Sequence, residues 1–417
     1  MARLADLGHP SGVTNDAPRS ARKRELSISA LLASEALGGI TLTTALVAAI
    51  IWASTAPASY SGAISAPLHL PGIPNALVSD RSTLVTNLLM VVFFAGIGLE
   101  IGRERSVGAL RDRATAILPV VAALGGMVGA ALVYLAGVSL LGPHAAVGGW
   151  GIPMATDIAF TLAALSLIPG RVSLSLRIFL LALAVADDVF SVVILAASGH
   201  ASVTGGTMAM VAATAGVVAV LASALVARRH HAHWTIWIVL CGVLWWLMAR
   251  LGIEPTLAGV VIGLLVPNGA DPALPGVILE RTVVPVATFV VLPLFGLVAG
   301  GVDLSTFSLG SSSGLLVSLL AARSIGKLLG IVGAVGLAIR LGLGSLPAET
   351  SWRQMTGAAL TCGIGFTVPL LFAQQAFSSQ PALLATTKVS LLIASLLCAI
   401  VGLVIMATKS PKDAGRD

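Results

Sequence analysis

Between residues 31 and 407 the sequence is a succession of apolar runs, each ended by Gly, Pro or a charge, and few folds accommodate that pattern. We read twelve of them, at about 31–52, 85–101, 115–141, 149–168, 174–197, 205–227, 235–249, 255–267, 284–300, 314–339, 355–376 and 383–407. A helix crosses a bilayer with about 20 apolar residues, so twelve crossings use roughly 240 of the 417 residues. Short loops and two tails take the rest. Only 10% of residues are charged, against about 25% in soluble domains, and 57% are hydrophobic; the mean hydropathy is +0.98. The expected fold is an all-α polytopic membrane protein of about 12 transmembrane helices. Residues 1–28 read as a disordered cytoplasmic tail, 29–408 as the transmembrane domain and 409–417 as a second cytoplasmic tail. The run from Leu31 to Trp52 is too long for a cleaved signal peptide. Cys241, Cys362 and Cys398 all sit inside apolar runs, which excludes a disulfide scaffold.

The net charge of +6 becomes a topology signal once its residues are placed. With twelve spans, the two tails and the even loops share one side, and 19 of the 24 Lys and Arg fall there. Arg81, Arg250 and Lys388 fall on the other side, and Arg323 and Lys327 lie inside a span. Both termini are therefore expected in the cytoplasm, with no nucleic-acid partner. No ATP site is expected either, because Gly326-Lys327 is followed by Leu328 and lacks the glycine spacing of a phosphate loop. The histidines lie in tails and loops, and the Gly-x-Gly-Asp signature of intramembrane aspartyl proteases is missing. A transporter without cofactors is expected rather than an enzyme.

Four ionisable groups fall near the middle of apolar runs: Asp157, Asp187, Asp188 and Lys327. Each costs about 2.5–3.5 kcal/mol at the bilayer centre on insertion scales, so each is a functional candidate. Asp187 and Asp188 are neighbours on one helix and point about 100° apart, toward different partners. Ser191 lies one turn on from Asp187. Carboxylate and hydroxyl oxygens suit a small hard cation or protons. Two close carboxylates resist ionising together, which suits a site that trades a cation against protons. Asp157 and Thr156 follow Gly149, Gly151 and Pro153, which should interrupt their helix and leave backbone ends at membrane depth. An adjacent carboxylate offsets the positive end of such a half-helix. The run 355–376 has a matching interruption at Gly363 and Gly365, and paired interruptions in corresponding halves point to a transporter site. Lys327 needs one of these acids as a partner.

These residues resemble one family, the bacterial NhaA-type sodium/proton antiporters. The resemblance covers about residues 30 to 405. It rests on FFAGIGLEIGRE (93–104), GWGIPMATDIAF (149–160), LALAVADDV (181–189), PTLAGVVIGLLVP (255–267), VLPLFGLVAGGV (291–302), SIGKLLGI (324–331) and CGIGFT (362–367). It implies inverted-topology repeats in helices 3–5 and 10–12, with interrupted helices 4 and 11 crossing at mid-membrane. Asp187 and Asp188 would bind sodium or lithium and carry protons, Lys327 would pair with Asp187, and Thr156 and Asp157 would lie beside the crossing. Exchange would be electrogenic, in the inner membrane, by a homodimer joined through the segment around 54–82. Glu100, Arg103 and Glu104 match a charged cytoplasmic cluster linked to pH control, with Glu280 a further candidate.

Three departures bear on that regulation. Asn87 stands where well-known members have an acid, Gly102 replaces a basic residue, and Arg281 replaces a histidine. Two other readings compete. A proton-coupled symporter for an organic solute would want a wider polar cavity than these few polar side chains make. A sensor retaining a silent transporter fold is disfavoured by the intact Asp187, Asp188 and Lys327.

Overall fold

The computed structural model describes residues 37–408, apart from 71–72, 74–77, 108–112, 158–159, 162–163, 166, 169–170, 199–206, 231, 252 and 304–308. Both expected tails, 1–28 and 409–417, lie outside the described residues. Among those described there is no β-strand; a single bridge joins Pro67 and Asp80. The helices are α1 (Leu37–Thr55), α2 (Pro57–Ile64), α3 (Arg81–Ser106), α4 (Arg113–Leu141), α5 (Leu174–Ser198), α6 (Thr207–Arg229), α7 (Trp234–Arg250), α8 (Leu257–Leu265), α9 (Pro275–Ala299), α10 (Ser313–Arg340), α11 (Trp352–Thr361), α12 (Thr367–Ala376) and α13 (Pro381–Ala407).

Eight of these helices are long and apolar enough to cross a membrane: α1, α3, α4, α5, α6, α9, α10 and α13. The remaining apolar runs take shorter or broken forms. Residues 235–249 lie in α7, of 17 residues, and 255–267 contain the 9-residue α8. The run 355–376 is divided between α11 and α12, of 10 residues each, and in 149–168 the backbone is non-helical at 155–157. Such backbone is tolerated at membrane depth only under protein cover, and the cover is present: Ala155, Thr156, Ile364 and Phe366 are all buried. At α9 the helix starts at Pro275, before the apolar run at 284, and so takes in Glu280 and Arg281. Hydropathy marks the apolar part of a helix, and hydrogen bonding carries the backbone on into its charged end.

Within α9 and α10 the winding loosens to π-type turns at Ala287–Val291 and Ala322–Gly326. The first follows Pro285, which cannot donate to the preceding turn. The second ends immediately before Lys327, and π-type turns inside α-helices are frequent at functional sites.

α4 and α10 meet backbone to backbone. A Cβ added at Gly125 would lie 2.5 Å from the carbonyl oxygen of Gly330, and one at Gly326 would lie 2.8 Å from that of Gly129. Without a hydrophobic force between helices in lipid, small residues of this kind are what permit close packing. α5 packs on α4, and α13 packs on α10 and α11. The buried apolar side chains form separate clusters along α10. One includes Leu315, Leu319 and Ala322, and the next resumes at Ile331, Val335 and Ala338. Arg323 and Lys327 occupy the gap between them.

The α4–α10 contact is open to a direct test. Gly326→Leu should force these backbones apart and cost about 1–3 kcal/mol of stability, as overpacking does. Gly333→Leu on the same helix, where an added Cβ has nothing within 4 Å, should cost almost nothing. Melting temperatures of the two purified variants give the comparison, and equal values would contradict this account of the packing.

Candidate ion-binding site

Asp187 and Asp188 lie mid-helix on α5 and diverge as the helical geometry requires. Asp187 is 1% exposed and faces α10, where its Oδ2 accepts from Lys327 Nζ at 2.9 Å. Lys327 is equally buried and donates also to Thr156 Oγ1, whose own hydroxyl donates to Cys362 O at 2.8 Å. A buried charge left unpaired costs several kcal/mol, so each of the two ions requires the other. Asp188 faces elsewhere: it lines a cavity of about 70 Å3 together with Glu100, Thr156, Asp157, Thr288 and Thr367. Asp187 Oδ1 and Ser191 Oγ are buried and have no hydrogen-bond partner among the described residues. Most mid-helix hydroxyls in this chain donate back to a carbonyl one turn earlier, as Ser318 and Ser324 do, but Ser191 does not.

Asp157 acts on a distant helix. Its Oδ2 accepts from the N–H groups of Phe366 and Thr367, the latter at 2.8 Å, and its Oδ1 accepts from the Thr367 hydroxyl. Those amides begin α12, whose first N–H groups have no partner within the helix. The carboxylate therefore caps the positive end of α12 across the chain. The two non-helical stretches touch directly as well: Asp157 N–H donates to Ile364 O at 3.1 Å. Gly363 and Gly365 make room for this approach. A Cβ at Gly363 would lie 2.6 Å from Arg323 O, and one at Gly365 would lie 3.0 Å from Ala155 O. Pro153 is in the turn run that precedes the non-helical residues 155–157.

Arg323, noted in the sequence only as a charge inside a span, reaches the same place. It is 0% exposed, and its guanidinium donates from Nε to Gly363 O at 3.0 Å and from Nη2 to Ala155 O at 3.4 Å. Thr367, Thr288 and Arg323 are the site residues that sequence reasoning missed. Arg323 had a signal in its charge within an apolar run, and Thr367 in ending the CGIGFT motif; Thr288 is unremarkable until the chain folds.

The candidate residues for pH response divide into two places. Arg103 Nη1 pairs with Glu280 Oε1 at 2.7 Å, and Arg103 Nη2 lies 3.7 Å from Glu104 Oε1. Asn268 donates to Leu99 O at 3.0 Å and to Glu280 Oε2 at 3.5 Å, tying α3 to the start of α9. Glu100 lines the cavity with Asp188. Among the departures, Arg281 is exposed, Gly102 lies near Gly263 O and Asn268, and the Asn87 carbonyl accepts from Trp245 Nε1 at 2.8 Å.

Comparison with known proteins agrees with the motifs. The family model described as Na+/H+ antiporter 1 matches residues 29–406. The Na(+)/H(+) antiporter NhaA 1 of Klebsiella pneumoniae is 38% identical over 380 residues, covering 89% of this chain and 94% of that protein. The Na(+)/H(+) antiporter NhaA of Mesorhizobium japonicum is 38% identical over 90% of this chain and 93% of its own. That of Escherichia coli O6:K15:H31 is 36% identical over 88% and 95%. A match that spans nearly the whole membrane region at this level of identity places the chain in the Na+/H+ antiporter 1 family.

Proposed function

We propose that this protein is a secondary transporter, and not an enzyme, that extrudes sodium or lithium across the bacterial inner membrane in exchange for protons. The observation that carries this reading is the divergence of the paired aspartates. Asp188 opens to a cavity that Glu100 and Asp157 also line, while Asp187, the next residue, is held by buried Lys327. A cation arriving through the cavity meets Asp188 first, then competes with Lys327 for Asp187, whose Oδ1, like the Ser191 hydroxyl one turn on, has no hydrogen-bond partner among the described residues. Protons compete for the same oxygens, so one site couples both fluxes without a second binding place. Thr156 and Asp157 line the same cavity, so the oxygen-bearing side chains there suit a hard cation. The family membership and the names of the relatives support sodium and protons as the exchanged ions.

The cavity volume also bears on the solute. Sites for organic ligands occupy about 300–1,000 Å3, whereas the cavity at Asp188 measures about 70 Å3. That small volume favours an inorganic ion over an organic solute.

The finer features belong to the same proposal. The runs 149–168 and 355–376 are the interrupted helices 4 and 11 of two inverted repeats in a twelve-span bundle, and the contacts between 155–157 and 362–367 are their crossing. Both termini are cytoplasmic, and two chains form a homodimer. Exchange is electrogenic, because Lys327 and the aspartates together carry more protons inward than the single sodium charge carried out. The Arg103–Glu280 pair joins α3 to α9, with Glu104 beside Arg103 on α3 and Glu100 one turn back at the cavity, and these groups adjust exchange to pH.

Asp188→Asn should abolish proton movement driven by sodium or lithium in everted vesicles from an antiporter-deficient strain; full activity in that variant would contradict the proposal. Lys327→Gln removes one proton carrier. In proteoliposomes its residual exchange should no longer respond to an imposed membrane potential, and an unchanged response would remove Lys327 from the proton stoichiometry.

A further inference from the structure

Arg323 is a fully buried charge that the proposed exchange does not use. A guanidinium presents five N–H donors in a rigid planar fork, and an apolar run pays several kcal/mol to hold it unless those donors are engaged. Among the described residues Arg323 makes no ion pair, and the acceptors it finds are main-chain carbonyls, Gly363 O and Ala155 O. Neither carbonyl belongs to a helix: one follows the end of α11 and the other opens the non-helical stretch 155–157 that holds Thr156 and Asp157. The carbonyl end of a helix carries partial negative charge. Arg323 thus meets the negative end of α11, while Asp157 meets the positive start of α12. Gly365 completes the fit, because a Cβ there would lie 2.5 Å from Arg323 Nη2.

Lys327 follows one turn later on the same face of α10 and has different partners, the side chains of Asp187 and Thr156. We propose that Arg323 is a positioning residue. Its fork clamps residue 155 to residue 363 and thereby sets Thr156 and Asp157 at the cavity. Lys327 is left free to change partners as cations and protons come and go. One cation on α10 holds backbone and the other takes part in exchange. This inference rests on the reading of the site as a sodium/proton exchanger.

The test uses full-length wild type, R323K and R323Q in proteoliposomes, each confirmed folded by its melting transition, with exchange followed as a function of sodium concentration. Lys keeps the charge but is a point donor that cannot span two carbonyls. R323K should raise the sodium concentration for half-maximal exchange on the order of tenfold, the worth of one charge-assisted hydrogen bond. R323Q, which loses charge and fork together, should raise it further, with the maximal rate changed less. R323K carries the test alone if R323Q is not recovered folded. Either folded variant with the wild-type sodium dependence, even at a lower melting temperature, would overturn the inference and leave the exchange reading intact. Wild-type protein that moves no protons with sodium would overturn the exchange reading and this inference with it.

Discussion

The ion pair between Lys327 and Asp187 is the interaction on which the rest of the structure depends. Each partner is 1% exposed, and neither tolerates ionisation in that position alone. Bringing them to 2.9 Å fixes α10 against α5, and α10 reaches that depth because glycines let it lie directly on α4. Lys327 has donors to spare, so an oxygen must stand beside Asp187, and the Thr156 hydroxyl supplies it. That placement goes with a non-helical backbone at 155–157, and the unpaired backbone groups created there need their own compensation.

Compensation comes in two opposite forms from two distant parts of the chain. Asp157 satisfies amides at the start of α12, and Arg323 satisfies carbonyls at residues 155 and 363. The result is a polar layer between apolar clusters, with nearly every charge engaged by backbone or by an opposite charge. Asp188 differs in opening to the cavity, and the unpartnered oxygens of Asp187 and Ser191 lie next to it on the same helix. If the site exchanges ions as proposed, the fixed charges hold the scaffold whichever ion is bound.

Much of this is legible in the sequence, for a physical reason. Charge in an apolar run is expensive, so Asp157, Asp187, Asp188 and Lys327 declare themselves without a structure. Gly and Pro in 149–168 and 355–376 likewise announce broken backbone. What sequence does not disclose is pairing across the fold. Thr367, the partner of Asp157, is 210 residues away, and nothing in the sequence around it says which acid it meets. The carbonyls that Arg323 binds are invisible to any reading of side chains. Helix ends such as Pro275 lie beyond their apolar runs, because backbone hydrogen bonds continue where hydropathy stops.

The central claim is that cation and protons compete for the same carboxylates. The most direct test adds sodium chloride to purified wild-type protein in a weakly buffered solution and records released protons together with bound sodium. Competition predicts that sodium and lithium release protons in proportion to the ion bound, and that lowering the pH weakens sodium binding. Sodium that binds without releasing protons, with an affinity independent of pH, would contradict the account.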